Sequence, residues 1–211
     1  GGPGRTVLSF APTYSMYPEY ARDTFTTWVA GRREADFSLD PDAARRAIAE
    51  HAPSVVLLAS PNNPTGTALG LDVVRAVLDA AADVPGGCVV VVDEAYGEFR
   101  REGTPSALTL LATYPHLAVS RTMSKAFGMA GARLGYLAAS SELVDALRVV
   151  RLPYHLSAVS QAVARAALAH SAELMAQVGS LRAERDQTVA WLRERGLAVA
   201  DSDANFALFG T

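Results

Sequence analysis

The sequence predicts an α/β protein built on a mostly parallel sheet with helices on both faces. Short apolar runs rich in valine and leucine recur along the first two thirds of the chain, mostly separated by helical patterns. This alternation is typical of buried parallel strands joined by crossover helices. Polar clusters also follow three of these runs directly, as expected where ligands bind outside the carboxyl ends of strands.

The elements follow from local signals along the chain. Asp40 precedes Pro41, a capping residue followed by proline at the first helical position, which predicts a helix to about His51. Leu71–Ala82 has a second helical pattern, and Pro85-Gly86-Gly87 predicts the turn into the next strand. The predicted strands are the apolar runs at 7–10, 54–59, 88–92, 117–120 and 134–138.

Beyond Pro153 the pattern changes to long, alanine-rich helices. We predict helix from about Ser157 to Arg195 with a break near Gly179, and an end at Gly196. Two short strands are predicted after this helical region, at 197–200 and 206–209.

Composition excludes several classes of protein. The 211 residues are half apolar and carry a net charge of −3, without a long Lys/Arg cluster that would attract nucleic acid. No apolar stretch is long enough to span a membrane, and we expect a cytoplasmic protein. Cys88 falls inside a predicted strand and is expected to be a core thiol. His51, His116 and His170 have no partner at ligand spacing, so no metal site is expected.

The segment 121–135 combines an amine with groups that bind phosphate. Thr122 and Ser124 offer hydroxyl donors, and Arg133 offers a planar fork that fits a phosphate. Lys125 is the only lysine in the chain. Apart from the histidines, all other basic side chains are arginines. An amine beside a bound phosphate suggests a Schiff base with a phosphorylated aldehyde.

Two further clusters are expected at the same edge of the sheet. Residues 60–66, Ser-Pro-Asn-Asn-Pro-Thr-Gly, and residues 93–96, Asp-Glu-Ala-Tyr, each follow an apolar run. Asp93 ends a run of four valines, where a buried carboxylate without a partner would be costly. Because the three clusters would meet at one edge of the sheet, they together indicate a ring-shaped cofactor rather than phosphate alone.

These residues resemble the fold-type I pyridoxal phosphate enzymes, the aspartate aminotransferase superfamily. The segments 12–17, 121–127, 153–154 and 204–209 look most like those of the histidinol-phosphate aminotransferases. The resemblance implies pyridoxal 5'-phosphate as cofactor and a homodimer as the assembly. It also implies transfer of an amino group from L-histidinol phosphate to 2-oxoglutarate, giving imidazole acetol phosphate and L-glutamate, in histidine biosynthesis.

The resemblance assigns a role to each candidate residue. Lys125 corresponds to the Schiff-base lysine, Asp93 to the carboxylate facing the pyridine nitrogen, and Tyr96 to a donor at the phenolic oxygen. These three are the expected catalytic residues. Asn63 is expected to donate to the same oxygen, and Tyr14 to stack on the ring. The expected phosphate ligands are Thr122, Ser124 and Arg133.

The resemblance also implies how the chain is organised. Residues 1–157 correspond to the large cofactor-binding domain, incomplete at its amino end. Residues 158–211 correspond to linking helices and the start of a small carboxyl-terminal α+β domain, incomplete at its carboxyl end. The chain is thus expected to be the central portion of such an enzyme, without the arginines that grip the substrate phosphate.

Three alternatives remain open at this point. An aromatic amino acid aminotransferase or a threonine-phosphate decarboxylase would share Lys125, Asp93 and Arg133 and differ mainly in residues that bind the substrate. A fragment without catalytic activity is the third. His155 lies where related enzymes approach the substrate, but we expect it to make only a local hydrogen bond.

Overall fold

Six segments of the chain pair into one sheet in the computed structural model, which describes residues 1–210. Their order across the sheet is β2-β1-β3-β4-β5-β6, and every neighbouring pair is parallel except β5 and β6. The predicted α/β class with a mostly parallel sheet is confirmed. The strands are β1 (Thr6–Ala11), β2 (Thr27–Arg32), β3 (Val55–Ala59), β4 (Val89–Asp93), β5 (Leu117–Thr122) and β6 (Gly135–Ala139).

The helices begin where the sequence supplies caps. Asp40 accepts hydrogen bonds from the backbone N–H groups of Asp42 and Ala43, at 3.1 and 3.2 Å, which confirms the predicted start at Pro41. The second predicted helix also has the expected bounds. The helices are α1 (Tyr17–Asp23), α2 (Pro41–His51), α3 (Leu71–Ala82), α4 (Ser141–Val150), α5 (Ala158–Ala169) and α6 (Ser171–Glu194).

One predicted feature of the helical region is wrong. Gly179 lies inside α6, which runs without interruption, and the break falls at His170 between α5 and α6. A single glycine costs a helix only about 1 kcal/mol, so packing along the rest of the helix overrides it. Gly196 follows the helix with a positive φ of 78°, as the predicted end requires.

Two short strands follow this end and pair antiparallel. They are β7 (Ala198–Val199) and β8 (Phe209–Gly210). The first lies within its predicted range, and the second begins at the last residue of the range predicted for it. The division of the chain at residue 157 stays a prediction, and residue 211 of its second part lies outside the described residues.

A continuous apolar core forms on one face of the sheet. Side chains at alternate positions of four strands enter it and pack against Ile48 of α2 and against Val74, Val77 and Leu78 of α3. Burying one such side chain contributes about 1.5–3 kcal/mol. The strand residues in this core are Leu8, Phe10, Val56, Leu58, Val90, Val92, Leu117 and Val119.

The strand register sets the positions of the polar clusters. Ala59 of β3 is level with Asp93 of β4, and Asp93 is level with Ser120 of β5. Three parallel strands therefore end side by side, and the loops that follow them meet at one edge. Within residues 1–210, no helix is both long enough and apolar enough to cross a membrane.

Candidate active site

A cavity of about 340 Å³ opens at the carboxyl ends of β3, β4 and β5. All eight residues expected at the cofactor line it, although they come from four separate stretches of sequence. The convergence follows from the parallel strands, whose carboxyl ends share one edge. These residues are Tyr14, Asn63, Asp93, Tyr96, Thr122, Ser124, Lys125 and Arg133.

Asp93 is the most constrained of these residues. Its carboxylate accepts hydrogen bonds from Ser120 Oγ at 3.1 Å, from the Tyr17 hydroxyl at 3.2 Å and from the Ala95 N–H at 3.2 Å. Burial nevertheless raises the pKa of Asp93 above its ordinary value, and the hydrogen bonds lower it only in part. A cation placed against this carboxylate would therefore stabilise its ionised form.

Tyr17 and Ser120 are partners of Asp93 that no sequence pattern identified. Tyr17 is buried at the start of α1, and burial together with the neighbouring Asp93 raises the pKa of its hydroxyl far above the ordinary value. It therefore remains a hydrogen-bond donor throughout the physiological range. Its contact joins residues 76 positions apart in sequence, which only the folded chain reveals.

Tyr96 and Asn63 form a second polar pair. The side-chain amide of Asn63 donates to the Tyr96 hydroxyl at 3.2 Å. The Tyr96 ring is buried and forms a T-shaped pair with Phe206, with 5.2 Å between the ring centroids. Lys125 Nζ lies 5.3 Å from the centroid of the Tyr96 ring. A hydroxyl and an amine thus face the same part of the cavity.

Asn62 holds two of the contributing segments together. It is fully buried, and its Nδ2 donates to the Pro12 carbonyl at 3.0 Å and to Thr65 Oγ1 at 2.8 Å. Thr13 Oγ1 donates in turn to Asn62 Oδ1 at 3.2 Å. The loop that carries Asn63 is therefore bonded to the segment that carries Tyr14. The peptide bonds before Pro12, Pro61 and Pro64 are cis.

The end of the cavity expected to bind phosphate is built from a tight loop. Thr122 Oγ1 accepts from the Ser124 N–H at 3.1 Å and lies 3.4 Å from the Leu134 carbonyl, to which it donates. Arg133 adopts a left-handed backbone conformation with φ of 50°, and its Nη1 donates to the Ala130 carbonyl. A guanidinium has five N–H donors, so others remain for an anion in the cavity.

Two aromatic side chains flank the opening. Tyr14 packs edge-on against Tyr17, with 5.6 Å between the ring centroids. Tyr20 also lines the cavity, and partial burial and the neighbouring Tyr14 raise the pKa of its hydroxyl. Outside the cavity, His155 makes the local contact that we expected, with its Nδ1 2.9 Å from the Leu152 carbonyl.

The donor set specifies the kind of ligand that fits. A partly buried carboxylate lies on one side, a hydroxyl and an amide lie on another, and an amine lies close to a loop with hydroxyl and guanidinium donors. Such a set suits a flat, positively charged heteroaromatic ring that bears a phosphate and a group able to react with an amine.

Comparison with known proteins supports this interpretation of the cavity. Residues 1–211 match the family model of aminotransferase class I and II. A histidinol-phosphate aminotransferase from Thermobifida fusca is 65% identical over 210 residues, which cover 100% of this chain and 56% of that protein. A protein from Burkholderia lata, histidinol-phosphate aminotransferase 3, is 60% identical over 210 residues, covering 100% of this chain and 55% of its own length.

Solved structures show the same relationship at the level of the fold. The crystal structure of histidinol-phosphate aminotransferase from Sinorhizobium meliloti in complex with pyridoxal-5'-phosphate superposes with a TM-score of 0.86 at 26% identity. The match covers 99% of this chain and 56% of that one. The chain thus spans about half the length of the curated relatives it matches. On sequence and fold together, this chain belongs to the class I and II aminotransferases.

Proposed function

We propose that this chain is the cofactor-binding part of a pyridoxal-phosphate-dependent aminotransferase that acts on L-histidinol phosphate and 2-oxoglutarate in histidine biosynthesis. The observation that carries the proposal is the cavity lined by Lys125, Tyr96 and the partly buried Asp93, with Lys125 Nζ directed at the Tyr96 ring. The high identity to two histidinol-phosphate aminotransferases supports the substrate.

The residues around the cavity fit pyridoxal phosphate by their chemistry. Asp93 would hold the protonated ring nitrogen, which resolves the cost of burying its carboxylate. Asn63 and Tyr96 would donate to the phenolic oxygen, and Tyr14 would cover a ring face. The phosphate would be held by Thr122, Ser124 and Arg133.

Lys125 carries the chemistry that belongs to the chain itself. Its Nζ is the primary amine that would hold the cofactor through its aldehyde, and it would move the proton at the substrate α-carbon. When bound, the cofactor supplies an electron sink for the bonds of that carbon. Tyr96 would orient the site through its contact with Asn63, and Asp93 would keep the ring nitrogen protonated.

A titration of the full-length protein with pyridoxal phosphate, followed by visible absorption, tests the proposal. We expect an absorption band that depends on Lys125 and is bleached by L-histidinol phosphate. Lys125→Ala should lose the band, and Lys125→Arg is the matched control because it keeps the charge without the primary amine. Absence of a band in the wild-type protein would contradict the proposal.

The same experiment separates the alternative functions. A band that responds only to aromatic amino acids would indicate an aromatic amino acid aminotransferase. Release of carbon dioxide from threonine phosphate would indicate the decarboxylase. An intact mass that matches 211 residues, together with no turnover of any amino donor, would support a fragment without catalytic activity.

We further propose that the full-length protein is a homodimer and that the large domain ends near residue 157. The open face of helices α4 and α5 supports the first point, since Val149, Val150 and Val159 are exposed there. Light scattering on the active protein would reveal its mass, and a strictly monomeric active enzyme would contradict the dimer. Limited proteolysis near residue 157 tests the boundary.

A further inference from the structure

A buried cluster of two glutamates and two arginines borders the cavity. The side chain of Glu94 is 1% exposed, that of Glu98 13%, and those of Arg100 and Arg121 10% each. Arg121 also lines the cavity itself. Buried ion pairs often contribute no more to stability than apolar side chains of the same volume. Stability alone therefore does not explain four charges at this position.

Glu94 is bonded at both carboxylate oxygens. Its Oε1 accepts from Arg100 Nη1 at 3.1 Å and from the Ala107 N–H at 2.8 Å. Its Oε2 accepts from Ser106 Oγ at 2.7 Å and from Arg121 Nε at 2.9 Å. Contacts with four residues fix the orientation of this carboxylate, and with it the backbone between Asp93 and Tyr96.

Arg121 uses its whole guanidinium in the same cluster. Besides Nε, its Nη1 donates to Glu98 Oε1 at 2.8 Å and its Nη2 donates to Ser106 Oγ at 3.2 Å. The turn at Gly97 closes on this group so tightly that an added Cβ would lie 2.9 Å from the guanidinium carbon. Only a planar fork with several donors makes these contacts at once.

The cluster joins the two segments that supply the reactive groups. Ser120 donates a hydrogen bond to Asp93. The residues that follow them, Arg121 and Glu94, are also hydrogen-bonded, with Arg121 as the donor. Glu94 lies two residues before Tyr96, and Arg121 lies four residues before Lys125. The ion pair therefore couples the loop after β4 to the last residues of β5, directly before the loop that carries Lys125.

We propose that Glu94 and Arg121 form a positioning pair that sets the separation between Lys125 and Tyr96 before the cofactor binds. This inference rests on the proposed function of the cavity. The pair acts through the loop after β4 and the end of β5, which it joins, and its members are positioning residues. The separation it holds is the 5.3 Å between Lys125 Nζ and the centroid of the Tyr96 ring.

The test measures cofactor affinity and the pH midpoint of the bound cofactor's visible absorption in the full-length protein. Glu94→Gln and Arg121→Gln should each weaken binding of pyridoxal phosphate about tenfold or more, as loss of supporting contacts around a bound group commonly does. Each should also shift the pH midpoint, because the phenolic oxygen of the cofactor would lose its fixed donors. The variant with both substitutions should bind pyridoxal phosphate with about the same affinity as the single variant that binds it less tightly, since the pair acts as a unit.

Two further variants separate positioning from general stability. Arg121→Lys keeps the charge, but one ammonium does not reach both glutamates, so the pH midpoint should still move. Ile48→Ala removes a buried core side chain on α2, away from the cavity. It should lower the unfolding temperature and leave both cofactor readouts unchanged.

Hydrogen exchange of the cofactor-free protein adds a readout that needs no ligand. Arg121→Gln should accelerate exchange in both 93–97 and 122–126, whereas Ile48→Ala should not do so selectively. If the wild type binds pyridoxal phosphate, and Glu94→Gln and Arg121→Gln bind it with the same affinity and the same pH midpoint, this inference is overturned and the proposed function stands. Failure of the wild-type protein to bind pyridoxal phosphate would overturn the proposed function and this inference with it.

Discussion

Asp93 shows how a single residue can make a site less stable without its ligand. Burial raises its pKa, so the folded state holds a proton on this carboxyl more tightly than the unfolded state does. The protonated Asp93 carboxyl therefore stabilises the folded state fully below the pKa that Asp93 has in the unfolded chain. This stabilisation is lost as the pH rises through the higher pKa that Asp93 has in the folded protein. In the cofactor-free protein, the ionised form at neutral pH is therefore the destabilised one.

Replacing this carboxyl by an amide tests the sign of the effect. We compare the unfolding temperatures of Asp93→Asn and the wild type without cofactor. The difference between them should shift in favour of Asp93→Asn as the pH rises from acid to neutral. With pyridoxal phosphate present, the wild type should be stabilised more than the variant. Unfolding curves across this pH range measure both effects, and Asp79→Asn on the exposed side of α3 is the control. A difference that does not change with pH would contradict the expectation.

Tyr17 makes a second prediction at the same scale. Its hydroxyl donates to Asp93 and helps to lower the pKa of that carboxyl. Tyr17→Phe should therefore raise the pKa of Asp93 further and weaken cofactor binding, while the loss of one hydrogen bond costs about 1 kcal/mol of stability. Titration with pyridoxal phosphate at several pH values measures the change. Tyr114→Phe, which removes an exposed contact to Asp79, is the matched control.

At the scale of elements, two glycines of the carboxyl-terminal region have opposite roles. Gly179 lies within α6 with open space where a Cβ would be, and its φ is not positive. Gly196 has a φ of 78° directly after the helix, where the Leu197 N–H returns to the Leu192 carbonyl. The same substitution should thus have opposite effects at the two positions.

Chemical denaturation measures these effects. Gly179→Ala should raise the free energy of unfolding by about 1 kcal/mol, because alanine has the higher helix propensity. Gly196→Ala should lower it by about 1 kcal/mol, because an L-residue is strained in the left-handed conformation. Changes of the same sign in the two variants would show that the helix does not end as described.

At the scale of the whole molecule, Arg185 links α6 to the site. Its side chain is buried, and its Nη1 donates to the Phe99 carbonyl at 2.7 Å and to the Ala204 carbonyl at 2.9 Å. The first carbonyl lies just beyond the Tyr96 loop, and the second lies two residues before Phe206, which packs on Tyr96. One arginine therefore connects the carboxyl-terminal segment with the cavity wall.

Removing this link should loosen both segments. Arg185→Met leaves two buried carbonyls without their donor, which should cost about 3 kcal/mol. Denaturation and hydrogen exchange of residues 197–210 measure the loss. Arg148→Met is the control, because it removes only an exposed pair with Asp145 and should change stability by less than about 0.5 kcal/mol. Equal effects of the two variants would contradict the role of Arg185.

The sequence by itself determined the class of the fold and eight of the residues that line the cavity. Valine-rich runs followed by polar clusters predicted the parallel strands and the edge of the sheet at which the cavity lies. Asp40 and Gly196 predicted where helices begin and end, by capping and by a left-handed backbone conformation. These signals are readable because strand burial, capping and turn geometry depend on neighbours in sequence. The edge strand β2 was missed because it lacks a long apolar run, which was the signal used to predict the other strands.

Only the tertiary structure decided which side chains support the cavity. Ser120 reaches Asp93 because β4 and β5 pair in one register, and Arg121 reaches Glu94 one residue further on. Tyr17 contributes because α1 returns to the end of β4. Such contacts join residues far apart in sequence, and their existence depends on strand register and loop path. Sequence patterns encode the reactive groups, whereas the fold sets the distances between them.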